Sequence, residues 1–327
     1  MIFLEKYKNV MKNLPECITE AEVNAERKVS TLIGVSGGQI VKTDVSDVTA
    51  VYVRASGTKT GYAYTEDLQE DPEKVILQAY NNGLVSDSNK IDRLNLPETA
   101  LNSNNALTGF SQTKIVYDKV CESTVAAGKK AANTSDIIQK ALMLESLVRK
   151  ADPSIRTVFA NIRVDTFSSR VINSKGVDVY FSRNVFYAQA RVTAEVMGDN
   201  VDVVCSASAS SFEKLDLASL VNEVRNLMKN KIKPGSFQSG EYPVILSRNV
   251  GVNIMMTAWQ LFSGLKYCEG STALKGKLGE HIGSPAFNVV DIPFHNDTGY
   301  CFPFDCEGTP GKETILVNEG KLTGLLH

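Results

Sequence analysis

Three histidines, His281, His295 and His327, are the only imidazoles in the 327 residues, so a metal centre or a general base has few places to be built. Zinc in proteins is held by imidazole, thiolate or carboxylate. Zinc peptidases commonly set two imidazoles on one face of a helix with a glutamate base between them. Neither H-E-x-x-H nor H-E-x-x-x-H occurs. The nearest fragment is Glu280 beside His281, in a Gly-, Ser- and Pro-containing stretch that reads as a surface turn. His295 lies beside Asn296 and Asp297 and reads as a solvated loop residue; His327 closes the sequence. A thiol–imidazole pair of His295 with Cys301 or Cys306 rests on loop spacing alone. No G-x-S-x-G elbow is present. Asp305 and Glu307 precede Gly308; such a pair can do acid–base work, but its ordinary duty is to cap a turn or face solvent. The glycine-containing residues 34–38 follow a strand and lead into another strand, which makes a hairpin turn and not a phosphate loop.

Composition narrows the setting. A formal net charge of -2 offers no basic footprint for phosphates, so nucleic acid is not an expected partner. No stretch approaches the roughly 20 apolar residues that span a bilayer, and the charged amphipathic start lacks the apolar core of a secretory signal. No membrane partner is expected. Cys17, Cys121, Cys205, Cys268, Cys301 and Cys306 form no C-x-x-C pair, and scattered thiols of this kind indicate a reducing, cytoplasmic location.

Any chemistry must be positioned by elements that the periodicity reveals. Phe3, Leu4, Tyr7, Val10, Met11 and Leu14 follow helical spacing. β-rich runs follow at residues 29–35, 38–42, 48–54 and 61–65, with hairpin turn chemistry between them, and Pro72 opens a helix to about Asn82. Residues 86–109, rich in Asn, Ser and Asp, read as a linker or long loop. Thr134 or Ser135 caps a helix whose apolar positions include Ile138, Ala141, Leu142 and Leu147, and which Asp152 and Pro153 end. Residues 185–196 alternate as a half-buried antiparallel strand, and residues 173–176 form a turn in which Gly176 is free to take positive φ. Asp216 caps a helix with a stripe of Leu217, Leu220, Val221, Val224, Leu227 and Met228. Residues 242–246 read as a strand, and residues 250–262, apolar on nearly every side, as a helix buried all round. A strand at 287–291 and a hairpin around residues 318–320 follow. The expected class is α+β, with mixed or antiparallel sheets and flanking helices. The expected domains are an N-terminal α+β segment 1–100, a middle α+β segment 105–233 and a β-rich C-terminal domain 239–327. The last ends flush with a strand that wants a partner, which reads as a truncated end.

Residues 271–280, 283–285, 289–293, 304–310 and 314–326 come in an order that resembles the C-terminal domain of the TldD/PmbA family of peptidases, also called modulators of DNA gyrase. Val53 and Arg54 with Gly57, residues 61–65 and residues 171–176 are similar to its earlier domains, so the likeness covers almost the whole chain. The family's TldD branch carries H-E-x-x-x-H on a third-domain helix and is metallopeptidase; its PmbA/TldE branch lacks the motif. Here Met255, Met256, Thr257, Trp259 and Gln260 stand at the corresponding positions, and this is no zinc ligand set. The resemblance therefore implies a PmbA/TldE-like chain that is inactive alone, with no catalytic residue and no cofactor of its own. Zinc is expected only on a TldD-like partner. The implied function is one part of a cleft for unfolded peptides, in a dimer with that partner or with itself. The resemblance marks Asn173, Gly176, Gly279, Asp291, Asp305, Glu307 and Gly308 as cleft or structural positions. A homo-oligomeric peptide-binding protein without catalysis and a regulator of DNA gyrase are the alternatives.

Overall fold

The computed structural model describes residues 1–86, 94, 133–196, 199–232, 236, 238–293, 295 and 300–326. Apart from Ser86 and Leu94, the expected linker at 86–109 lies outside the described residues. The chain forms two compact units, Met1–Pro234 with Phe294–Pro310, and Gly235–Pro293 with Gly311–His327.

The first unit is built on one antiparallel sheet of six strands in the order β3-β2-β1-β4-β5-β6. They are β1 (Glu20–Ser36), β2 (Gln39–Ser56), β3 (Thr60–Thr65), β4 (Ile155–Asn173), β5 (Asp178–Val196) and β6 (Asp199–Ala209). The two β-rich runs read at 38–42 and 48–54 are one continuous strand, because the polar residues between them pair along β1 without a break. Strands pointing successive side chains to opposite faces divide this sheet sharply. In β1, Ala21, Val23 and Ala25 are buried on one face, while Glu22, Asn24 and Glu26 point to the other.

The apolar face is covered by helices. Helices α1 (Leu4–Met11) and α2 (Pro72–Leu84) pack Leu4, Tyr7, Val75, Ile76 and Ala79 against Val23, Ala25, Val51 and Val53. Helices α3 (Thr134–Arg149) and α4 (Leu217–Ile232) cover the other end with Leu144, Val148, Leu220 and Met228, over Ile162, Ala188, Ala190 and Cys205. Residues 185–196 lie in β5 as read, with Phe186, Ala188, Ala190, Val192 and Ala194 buried. The cap of α3 is Asn133, not Thr134 or Ser135: its side chain accepts from the Asp136 amide at 2.8 Å. The stripe is correspondingly displaced. Ile137, Ala141, Leu144 and Val148 are buried, and Ile138, Leu142 and Leu147 pack at its margin. Asp216 caps α4 as expected, accepting from the Ser219 amide at 3.0 Å.

The second unit is smaller. Strands β7 (Val289–Asp291), β8 (Thr314–Asn318) and β9 (Lys321–Leu322) form a three-stranded antiparallel sheet, and Glu319 and Gly320 take positive φ in the hairpin. Leu326 then forms a parallel bridge with Ser263. Two expectations fail here. Residues 242–246 have the composition of a strand, but among the described residues they join no sheet, and Val244 and Ile245 are 74% and 98% exposed. Composition favours a pleated surface and does not supply a neighbour for the backbone. Helix α5 (Arg248–Ala258) forms, capped by Ser247, but buries no residue. Of the described residues of α5, only the partly buried Met255 packs against the small core of Phe262, Leu274, Leu316, Val317 and Leu322, beside Ile282, Phe287, Val289 and Leu326 from elsewhere in the unit. An all-round apolar helix needs cover on every side, and this unit supplies it on one. A short α6 (Gly264–Glu269) follows.

Candidate functional site

The face of the large sheet turned away from the helices carries the polar chemistry. Register places Tyr62 of β3, Arg54 of β2, Glu22 of β1 and Asn173 of β4 in one row across four strands. The next row on the same face holds Tyr64, Tyr52, Asn24 and Val171. Segment 300–310 lies over part of this face. Phe304 packs edge-on against Phe181 of β5, with ring centroids 5.1 Å apart. Glu307 reaches Arg54, its Oε1 2.7 Å from Arg54 Nη1. Arg54 Nη2 lies 3.0 Å from Glu22 Oε1. Arg54 and Glu22 are 6% and 5% exposed, so the guanidinium bridges a buried and a half-exposed carboxylate.

This arrangement leaves negative charge in excess. Burial pushes the Glu22 carboxyl up to about 7, opposed by Arg54 and raised further by Glu307 and Asp305; Asn173 lowers it. Burial also raises Glu26, two positions along β1 from Asn24. Glu22 Oε2 and Arg54 Nε are buried and, among the described residues, have no hydrogen-bond partner. A recess of about 420 Å³ opens here, lined by Glu22, Asn24, Glu26, Arg54, Glu307 and Tyr62, with Tyr52 and Cys306 beside them.

Four of the seven marked positions converge on this place. Asn173 Oδ1 accepts from the amides of Lys175 and Val177 at 3.0 Å each, closing the turn in which Gly176 takes φ of 98°. Asp305 Oδ1 accepts from the amides of Glu307 and Thr309 at 2.9 and 2.8 Å, which shapes the turn presenting Glu307. Gly308 has φ of 81°, and a Cβ there would stand 3.0 Å from Val177. Gly176 stays in the Asn173 turn, behind the row. Gly279 and Asp291 belong to the second unit: the Gly279 amide donates to the Leu322 carbonyl at 2.8 Å, and Asp291 pairs with Thr314.

The remaining candidates form no catalytic geometry among the described residues. His281 is exposed and bridges Lys321 in the small sheet. His295 is exposed while Cys301 is buried, and His327 lies outside the described residues. Burial and the neighbouring Asp305 and Glu307 push the Cys306 thiol up, opposite to the shift that makes a nucleophilic thiolate. Along 255–260, Met256 and Trp259 are 69% and 52% exposed, and the Thr257 hydroxyl donates to the Asn253 carbonyl. Thioether, hydroxyl, indole and amide groups do not fit zinc, and no group of three or more His, Cys, Asp or Glu among the described residues fits a metal ion. Among the described residues no helix is long and apolar enough to cross a membrane.

Sequence reasoning missed Glu22, Asn24, Glu26, Tyr52 and Tyr62. The signal was the strict alternation of residues 20–26, polar at every even position. What alternation could not reveal is which polar residue of a distant strand stands opposite.

Three family profiles match the chain in order: the PmbA/TldA metallopeptidase domain 1 over residues 21–83, its central domain over 129–231 and its C-terminal domain over 239–327. A metalloprotease of Archaeoglobus fulgidus is 29% identical over 106 residues, 32% of this chain and 24% of the relative. A metalloprotease of Methanocaldococcus jannaschii is 22% identical over 343 aligned residues, covering 100% of this chain and 69% of the relative. The match thus spans only part of each relative's length. The crystal structure of TldE from Thermococcus kodakarensis superposes with a TM-score of 0.76 at 18% identity, over 98% of this chain and 69% of that one. It shares the α+β fold.

Proposed function

This chain belongs to the PmbA/TldD metallopeptidase family, and from that membership we propose that it is a PmbA/TldE-like subunit. It holds unfolded peptide, while a TldD-like partner carries the zinc. The observation that carries the reading is the open polar face of the large sheet. A folded chain ordinarily covers both faces of a sheet or leaves one plainly solvated. This face does neither: it sets tyrosines beside a buried ion-paired row. Flat aromatic rings, amide side chains and carboxylates suit an extended peptide of varied sequence, since they address its main chain and its commonest polar groups. The TldE likeness supports the same assignment, as does a helix at 248–258 that bears Met and Thr, followed by Trp259 and Gln260, where the family's catalytic branch carries imidazoles.

The purified chain is expected to bind an unfolded casein fragment, to contain no stoichiometric zinc by elemental analysis and to leave the fragment uncut. Cleavage should begin when a TldD-like metallopeptidase of the same cell is added. Stoichiometric zinc together with cleavage by the chain alone would overturn the reading. Self-association with peptide binding, but no response to the added metallopeptidase, would replace it with a homo-oligomeric peptide binder.

A further inference from the structure

We infer that the recess over β1 and β2 is a subsite for a primary ammonium group, carried by an extended peptide lying along this sheet face. Glu22 forms its base and Glu26 and Glu307 its acidic walls. The assignment rests on the peptide-holding reading for the source of the ammonium, but the site itself stands on its own residues. Three carboxylates, Glu22, Glu26 and Glu307, line the recess, and Arg54 is the single basic group among the lining residues. Arg54 is already committed to both Glu22 and Glu307. Above about pH 7, where Glu22 gives up its proton, one positive charge stands against three negative ones and the recess is short of a cation. Glu22 Oε2 adds an independent mark, because it is buried without a hydrogen-bond partner among the described residues. An unsatisfied buried acceptor is costly, and a donor brought by a ligand relieves it.

The walls select the kind of cation. Tyr52 and Tyr62 stand at the rim, 45% and 56% exposed, and ring faces attract an ammonium once water is displaced. An ammonium has three rotatable donors and so satisfies carboxylates arriving from different strands. A guanidinium is a planar fork best met by one coplanar carboxylate. Asn24 lines the same wall, where its side chain hydrogen-bonds to Glu26 and its Oδ1 accepts from the Ser169 hydroxyl at 3.3 Å. The ammonium comes from either a lysine side chain or a peptide N-terminus.

The groups facing Glu22 are Arg54 from β2, Asn173 from β4, and Asp305, Cys306 and Glu307 from the 300–310 segment; Glu26 lies on its own strand and the Tyr52 and Tyr62 hydroxyls at the rim. Most of the charged groups in this set are acidic, so protonation of Glu22 weakens the site for cations.

The test uses n-butylammonium chloride as the probe and uncharged n-butanol as its control, read by tyrosine fluorescence and NMR shifts on the full chain. Butylammonium is expected to bind at least about tenfold more tightly than butanol, and more weakly at about pH 6 than at about pH 8. Glu26→Gln and Glu307→Gln should each remove most of that preference. Glu73→Gln, on the exposed first turn of α2, should not. Equal binding of the two probes, or a preference that survives both substitutions, overturns the subsite. Three unfolded peptides then identify the source: one N-acetylated with a lysine, one with a free N-terminus and no lysine, and one with neither ammonium. If none binds while butylammonium does, the peptide reading fails and the ammonium site remains. If all three bind alike, the peptide reading stands and the subsite falls.

Discussion

The two faces of the large sheet are made by the same strands, yet they obey different rules. On the helix side, β1, β4 and β5 contribute Val23, Ile162, Ala188 and Ala190, each at most 1% exposed and packed to a close-fitting core. On the other side, one residue along in each strand, stand Glu22, Arg163, Tyr187 and Gln189. Beside a small apolar cluster of Val171, Val179, Phe181 and Phe304, the contacts there are between charges and rings. The Arg163 guanidinium lies 4.2 Å from the Tyr187 ring centroid, and the Tyr187 hydroxyl is 3.1 Å from that of Tyr300. The difference teaches that stability is concentrated on one face and that the other is free to be specified for binding. Buried charge such as Glu22 with Arg54 is weak evidence of stabilisation, because desolvation offsets the attraction.

That contrast can be broken on the apolar side first. Phe186 is 1% exposed and meets Phe212 edge-on. Phe186→Ala should cost about 3–5 kcal/mol in urea unfolding, the range for emptying a buried aromatic site; a loss under about 1 kcal/mol would show that this face is not the main core.

The polar face offers the next largest effect, and it depends on pH. Glu22 binds its proton up to about pH 7 when folded, against an ordinary 4.5. Between these values the folded chain holds a proton that the unfolded chain has released. Stability therefore falls as pH rises through this window, and the loss is complete above about 7. The full contribution is up to about 3 kcal/mol. Urea midpoints at about pH 5 and about pH 7.5 should differ by this contribution in the native chain relative to Glu22→Gln, in which it is absent. Identical pH slopes in the two proteins would remove the claim that Glu22 is held in its acid form by burial.

A smaller effect tests the helical cover. Asn133→Ala removes the side chain that caps α3 and should cost about 1 kcal/mol. If Thr134 or Ser135 took over as the cap, the loss would be near zero. Smallest of all, Tyr52→Ser should change stability by less than about 0.5 kcal/mol, since the side chain is about half exposed. It should nevertheless weaken peptide binding measurably in a titration. A large loss of stability there would mean that the tyrosine belongs to the core of the fold and not to a binding surface.

Much of the scaffold is legible in the sequence alone. Leu4, Tyr7 and Met11 at helical spacing, the alternation of residues 185–196, Pro72 at a helix start and Asp216 as a cap are local signals, and each element formed with its boundaries moved by a few residues. The site was legible only in pieces. Asp305, Glu307 and Gly308 stood out as a turn, and Asn173 and Gly176 as another. Nothing local said that both turns would meet Glu22 and Arg54. The second unit shows the limit from the other side. Residues 242–246 and α5 carry apolar patterns that promise burial, and the patterns do not say what would do the burying.

The sequence by itself determined the family, the α+β class, the helix and strand periods and the absence of an H-E-x-x-x-H motif, because each of these is a matter of residue type at short spacing. Only the tertiary structure decided that Glu22, 32 positions from Arg54 by the numbering and 285 from Glu307, shares one guanidinium with it. Strand register sets such meetings. Register depends on pairing across the whole sheet, where one residue's slip would turn Glu22 toward the helices and Val23 toward the recess.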